Sequence, residues 1–172
     1  MLGASAVGKT SLVRRFAKGI FSDRYVTTIG VKIEKKTVEV DDTSVELMLW
    51  DVNGEDRFQK VSTSYLRGSA GYFLVADGTR PETLETAQTL HQRARDMLGT
   101  IPFRLLINKA DLRDAPSETA PAPGEAPTVW SIRDETLEQY GVADWPLLYT
   151  SAKNDVNVDD AFTTLTHDIL SQ

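Results

Sequence analysis

Gly3-Ala4-Ser5-Ala6-Val7-Gly8-Lys9-Thr10 decides how the rest of the chain is read. It fits G-x-x-x-x-G-K-[ST], a phosphate-binding loop. Two glycines let the backbone curl so that successive N–H groups point inward at phosphate oxygens. Lys9 adds a point charge for the β and γ phosphates, and the Thr10 hydroxyl can ligate Mg²⁺. Ser11-Leu12-Val13-Arg14-Arg15-Phe16 reads as the following helix, whose positive dipole end falls on the same phosphates. The alternative is a chance match, in which Gly3 and Gly8 are ordinary turn glycines.

Outward from this loop the pattern alternates strand and helix, which predicts an α/β layer fold with a mostly parallel sheet. Residues 31–40 read as a strand with imperfect alternation. Val31 and Ile33 share a face with Lys35, Thr37 and Glu39, whereas Val38 and Val40 share the other with Lys32, Glu34 and Lys36. A bulge or a charged edge strand wetted on both faces would explain the change of face. Residues 45–51 form the next predicted strand, with Asp41-Asp42-Thr43-Ser44 as the hairpin turn. Gly71 to Asp77 is a short apolar run of the kind buried on both faces. Residues 103–107 and 147–150 look similar. Pro81 suits the first turn of a helix, after which Leu84, Ala87, Leu90, Ala94 and Leu98 recur at helical spacing. Val158, Phe162, Leu165 and Ile169 do the same, and these stripes read as core. His91 and His167 have no second ligand in register and read as packing or surface residues.

With 172 residues, the chain fits one domain, 1–172. Residues 113–129 interrupt its rhythm; Asp114 to Pro127 contains four prolines and reads as a surface loop insertion. A tolerated insertion and a partner-binding loop both fit. The net charge of −6 offers no global field for nucleic acid or anionic lipid. No apolar run approaches the roughly 20 residues that span a bilayer. Cysteine is absent, which removes disulfides, thiolate zinc sites, a catalytic thiol and cysteine-borne lipid. A cytoplasmic protein is expected, with no lipid anchor on this chain.

Further motifs follow the phosphate loop in order: Thr27-Thr28-Ile29-Gly30, Trp50-Asp51-Val52-Asn53-Gly54-Glu55, Asn108-Lys109-Ala110-Asp111 and Thr150-Ser151-Ala152-Lys153. Most fall at the carboxyl ends of predicted strands, where open α/β sheets bind ligands. This set resembles the small GTPases of the Ras superfamily, most closely the Rab-like branch, over essentially the whole chain. The resemblance implies a small G domain of the phosphate-loop NTPase fold that binds GTP and GDP with Mg²⁺ and hydrolyses GTP. It implies nucleotide contacts from Gly3, Ser5, Ala6, Val7, Gly8, Lys9, Thr10 and Ser11. Asp111 would take two hydrogen bonds from guanine, an edge adenine lacks. Asn108 and Lys109 would frame the base, Ser151, Ala152 and Lys153 would form the second base loop, and Phe21 would pack edge-on against it. Thr28 would reach Mg²⁺ only when a γ-phosphate is present, Gly54 would offer that phosphate its N–H, and Tyr25 would close over the nucleotide. Thr10 would ligate Mg²⁺ directly and Asp51 through a water. Trp50, Arg57-Phe58 and Ser64-Tyr65-Leu66-Arg67-Gly68 carry the Rab likeness. Trp50, Tyr65 and Ile33 match the aromatic triad that reads out the nucleotide state to effectors, with exchange and activating proteins as further partners. Packing of Trp50 and Tyr65 between strand and helix is the alternative.

Four departures from the family pattern stand out. Glu55 replaces the usual water-orienting Gln, adding negative charge beside an anionic phosphate. Slow or differently organised hydrolysis is expected, with Lys9, Gly54 and Glu55 as the catalytic set and a compensating arginine either in cis, Arg24 or Arg57, or from a partner. The rival reading is a nucleotide-dependent binding module with negligible hydrolysis. A phosphate-loop ATPase or kinase is a third reading, against which Asn108 to Asp111 argues. Ser5 and Ala6 stand where Gly is frequent, and Ala6 demands an ordinary backbone conformation unless strain is stored. The ending at Leu170-Ser171-Gln172 lacks a prenylated tail, which fits a prokaryotic member or a trimmed domain. Of the family's central first strand only Met1 and Leu2 remain, so Met1 is expected to be internal to a longer protein or the chain to be poorly stable.

Overall fold

The computed structural model describes residues 1–24, 26–54, 63–113 and 129–172. Four parallel strands form the main sheet in the order β1 (Leu2–Gly3), β4 (Tyr72–Asp77), β5 (Phe103–Asn108), β6 (Leu147–Tyr149). An antiparallel hairpin of β2 (Val31–Val40) and β3 (Thr43–Val52) lies beside β1, where the Met1 nitrogen donates to the Trp50 carbonyl at 2.9 Å. The helices are α1 (Lys9–Lys18), α2 (Thr83–Leu98), α3 (Asp134–Gln139) and α4 (Val158–Leu170). Short 3₁₀ turns span Thr63–Leu66 and Ala110–Leu112. The mostly parallel α/β fold expected from the sequence is the one found, and its first strand is two residues long.

The apolar runs of β4 and β5 bury both faces, as parallel strands covered by helices must. Tyr72, Leu74, Ala76, Leu105 and Ile107 pack with Leu84, Ala87, Leu90 and Ala94 of α2. Phe73, Val75 and Leu106 point the other way, into Leu12 and Phe16 of α1 and Phe162 and Leu165 of α4. Phe16 and Phe162 stack with ring centroids 3.9 Å apart, which locks α1 to α4. Gly19 ends α1 in the left-handed conformation, its N–H donated to the Arg15 carbonyl.

The hairpin decides between the two explanations of the broken alternation. Pairing runs from Val31↔Val52 to Val40↔Thr43 without an extra residue, so there is no bulge. Among the described residues β2 pairs only with β3 and is an edge strand. Its inward Lys36 lies 3.9 Å from the Phe16 ring centroid and donates to the Phe16 carbonyl, so a charged residue covers apolar surface. The turn is tighter than expected. Thr43 and Ser44 belong to β3, and only Asp41 and Asp42 turn, both at positive φ (47° and 59°). That is the type I′ geometry, whose twist matches that of the strands. α3 has no counterpart in the sequence reading, because its six residues bury one apolar side chain, Leu137. His91 packs among Tyr72, Phe103 and Trp145, as its packing role anticipated. The loop expected at 113–129 lies outside the described residues except for Arg113 and Val129.

Candidate nucleotide site

The carboxyl ends of β1, β3 and β5 and the segment after β6 open onto one cavity of about 410 Å³. Its lining joins Ser5, Ala6, Gly8, Lys9, Thr10 and Ser11 at one end to Asn108, Lys109, Asp111, Ala152 and Lys153 at the other, with Phe21, Thr28 and Gly54 along the walls. Lys9, Arg14, Arg24, Lys32, Lys109 and Lys153 face it against two carboxylates, Asp23 and Asp111. A protein of net charge −6 thus concentrates cations where a polyanion would enter.

Side-chain donors hold the loop's carbonyls. Lys9 Nζ donates to the Gly3 and Ala4 carbonyls (3.0 and 2.8 Å), Arg80 Nη2 to the Ser5 carbonyl (2.9 Å) and Asn108 Nδ2 to the Val7 carbonyl (2.9 Å). These bonds fix the loop's backbone, and successive backbone N–H groups in a loop of this kind cradle anions. Val7 itself is fully buried in the core beneath. Burial pushes the Lys9 ammonium down to about 8, with Asp51 raising it and Arg80 lowering it further. Gly8 sits at φ 99° with Asn108 so close that a Cβ would collide with its amide, and a Cβ on Gly54 would collide with the Ser5 backbone. For Ala6 the stored-strain alternative is the one found. It adopts φ 61°, the left-handed region, which costs a non-glycine residue about 1–2 kcal/mol.

The three residues expected to meet a metal come together. Thr10 Oγ1 donates to Asp51 Oδ2 at 2.6 Å and lies 2.8 Å from Thr28 Oγ1. Asp51 is buried, and its Oδ1 has no hydrogen-bond partner among the described residues. An orphaned buried carboxylate oxygen beside two hydroxyls is the hard-oxygen chemistry that suits Mg²⁺. Among the described residues no group of three or more His, Cys, Asp or Glu converges.

At the other end Asn108 Oδ1 accepts from the Ala152 N–H (3.3 Å), and Asp111 Oδ1 accepts from the Ser151 hydroxyl (2.6 Å). Asn108 therefore touches both the phosphate loop and the base loop. Arg15 donates to the Ala152 and Lys153 carbonyls at 2.9 Å each and lies 5.9 Å from the Phe21 ring centroid. Ile33 and Trp50 are directly paired across the hairpin and exposed on its outer face, 47% and 41%. Tyr65 is half-buried against the core instead. Tyr25, Glu55, Arg57 and Phe58 lie outside the described residues.

Sequence reading missed Asp77, Arg80 and Arg15. Asp77 closes a wholly apolar strand, and a lone acid at the carboxyl end of such a strand is a signal that could have been used. Arg80 and Arg15 act on backbone carbonyls far away in the chain, which no local pattern encodes.

A parallel sheet with an anion-cradling loop, a hydroxyl–carboxylate cluster and a second pair of loops opposite defines a phosphate-loop nucleotide-binding protein. The chain belongs to the Ras family, whose model matches residues 1–171. It is 33% identical over 171 residues to the Ras-related protein Rab-13 of Mesocricetus auratus, an alignment covering 99% of this chain and 78% of that one. Human Ras-related protein Rab-8B is 32% identical, covering 100% and 77%. The GTP-binding protein ypt2 of Schizosaccharomyces pombe is also 32% identical, covering 100% and 80%. The chain is a Rab-like small GTPase, binding GTP and GDP and acting with regulatory or effector proteins. No helix among the described residues is long and apolar enough to cross a membrane.

Proposed function

We propose that this chain is one small G domain, with 113–129 as a loop insertion, that switches between GTP and GDP with Mg²⁺ and hydrolyses GTP slowly in the cytoplasm. The observation that carries the reading is the cation-lined cavity running from the phosphate loop to Asp111 and Lys153. In this reading Gly3, Ser5, Ala6, Val7, Gly8 and Ser11 give the loop its shape around the phosphates, and Lys9 neutralises them. Asn108, Lys109, Asp111, Ser151, Ala152, Lys153 and Phe21 hold guanine. Thr10, Thr28 and Asp51 would hold Mg²⁺, which when bound supplies further neutralisation of phosphate charge. Thr28 and Gly54 sense the γ-phosphate, and their release on its loss relaxes both loops. Tyr25 covers the nucleotide, Glu55 orients water, and Ile33, Trp50 and Tyr65 meet effectors.

Competition between GTP and ATP in Mg²⁺ buffer tests the base reading. We expect GTP to bind at least about a hundredfold more tightly, because Asp111 leaves unpaired donors and acceptors with adenine. Equal affinity rejects the reading. Asp111→Asn should shift preference toward xanthine nucleotides. Glu55 favours a second reading, a switch that binds but scarcely hydrolyses. Single-turnover release of phosphate separates the two: slow release in wild type, rising about tenfold in Glu55→Gln, supports the enzyme. Release at the buffer rate in both proteins supports the binding module.

A further inference from the structure

β4 ends in a carboxylate that neither the phosphate nor the base motif includes. The Asp77 side chain is wholly buried, and all its lone-pair capacity is directed. Oδ1 accepts from the Thr79 N–H (3.0 Å) and hydroxyl (2.7 Å). Oδ2 accepts from Arg80 Nε (2.9 Å) and Lys109 Nζ (2.6 Å). Thr83 locks the turn between them, accepting from the Asp77 N–H at 3.0 Å and donating to the Arg80 carbonyl at 2.7 Å. Burial alone would raise the Asp77 carboxyl, yet hydrogen bonds from Lys109, Thr79 and Arg80 outweigh it and hold the group below its ordinary range.

The two cations on Oδ2 connect to opposite ends of the cavity lining. Lys109 lies in the base segment, at φ 69°. Arg80 reaches the phosphate loop, where Nη2 donates to the Ser5 carbonyl at 2.9 Å. The Gly3, Ala4 and Val7 carbonyls of that loop are held by Lys9 and Asn108. Ser5 stands next to the strained Ala6 and against Gly54, so its orientation sets how the loop meets a phosphate. A guanidinium can donate in two directions from a rigid plane, to Asp77 and to Ser5 at once, which an ammonium cannot do with the same geometry.

We propose that Asp77 and Arg80 are positioning residues that tie the base loop to the phosphate loop, Asp77 orienting Lys109 on one side and, through Arg80, the Ser5 carbonyl on the other. This rests on the guanine-nucleotide reading of the cavity. A strut of this kind couples recognition at one end of the nucleotide to the shape of the other, without touching the ligand.

The test uses affinity ratios measured on one protein at a time, so that any loss of folded fraction cancels. The GDP:GMP ratio reports the cradle for the β-phosphate, and the GDP:ADP ratio reports the base end. Arg80→Ala should lower GDP:GMP about tenfold and leave GDP:ADP unchanged. Arg80→Lys should behave like Arg80→Ala. Asp77→Asn should lower both ratios. A purely structural pair moves the melting temperature and neither ratio, and that result overturns the proposal. Wild-type GDP:GMP in Arg80→Lys overturns it too, and decides the matter should Asp77→Asn fail to fold. A wild-type protein that binds no GDP rejects the nucleotide reading itself, a distinguishable outcome.

Discussion

Lys9 shows how far a single residue's surroundings control the site. Its ammonium is buried and titrates near 8 rather than at its ordinary 10.5, because burial disfavours the charged form. A phosphate needs that charge. In the free protein the proton is present below about pH 8 and lost above it, whereas bound phosphate would retain it. GDP affinity should therefore be flat below pH 8 and fall as pH rises, by up to about tenfold per unit. Titration calorimetry between pH 7 and 9.5 checks this, and a constant affinity across that range contradicts the role of Lys9. At this scale the motif residues were legible, because G-x-x-x-x-G-K-[ST] and Asn108 to Asp111 are local strings. Ala6 was not decided by its own string. Its φ of 61° is imposed by the loop around it, and an alanine's own preference points elsewhere.

At the scale of elements, the long apolar runs and helical stripes predicted β4, β5, α2 and α4 to within one or two residues at most ends. The hairpin was harder. Alternation in β2 fails because Lys36 does an apolar residue's work over Phe16, and that contact joins residues 20 apart in the chain. The two-residue turn invites improvement. Asp42 carries a side chain at φ 59°, and type I′ turns favour Gly at this place. Asp42→Gly should stabilise the protein by about 0.5–1 kcal/mol. In a chain of this size that corresponds to roughly 1–4 °C in melting temperature. An unchanged or lower melting point counts against the turn geometry. Asp41 is better kept, since it lies 3.2 Å from His167.

Across the whole molecule, β4 and β5 form the wall that separates two helical layers and carries the site on its upper edge. Leu106 is fully buried between that wall and the α1–α4 side, directly below the phosphate loop. Leu106→Ala should cost about 3 kcal/mol, lowering the melting temperature by roughly 10 °C. Calorimetry that finds a shift below about 3 °C would show that the site's support lies elsewhere. The sequence by itself determined the layer fold, the family likeness and the strings we assign to phosphate and base, since each depends on periodicity or spacing within a short segment. Only the tertiary structure decided that Thr10, Thr28 and Asp51 meet, that Ile33 and Trp50 lie outward together while Tyr65 packs inward, and that Asp77 holds Arg80 and Lys109 on one oxygen. Apart from Asp77 with Arg80, these contacts join segments up to 41 residues apart, fixed by sheet order and register, and no local preference encodes them.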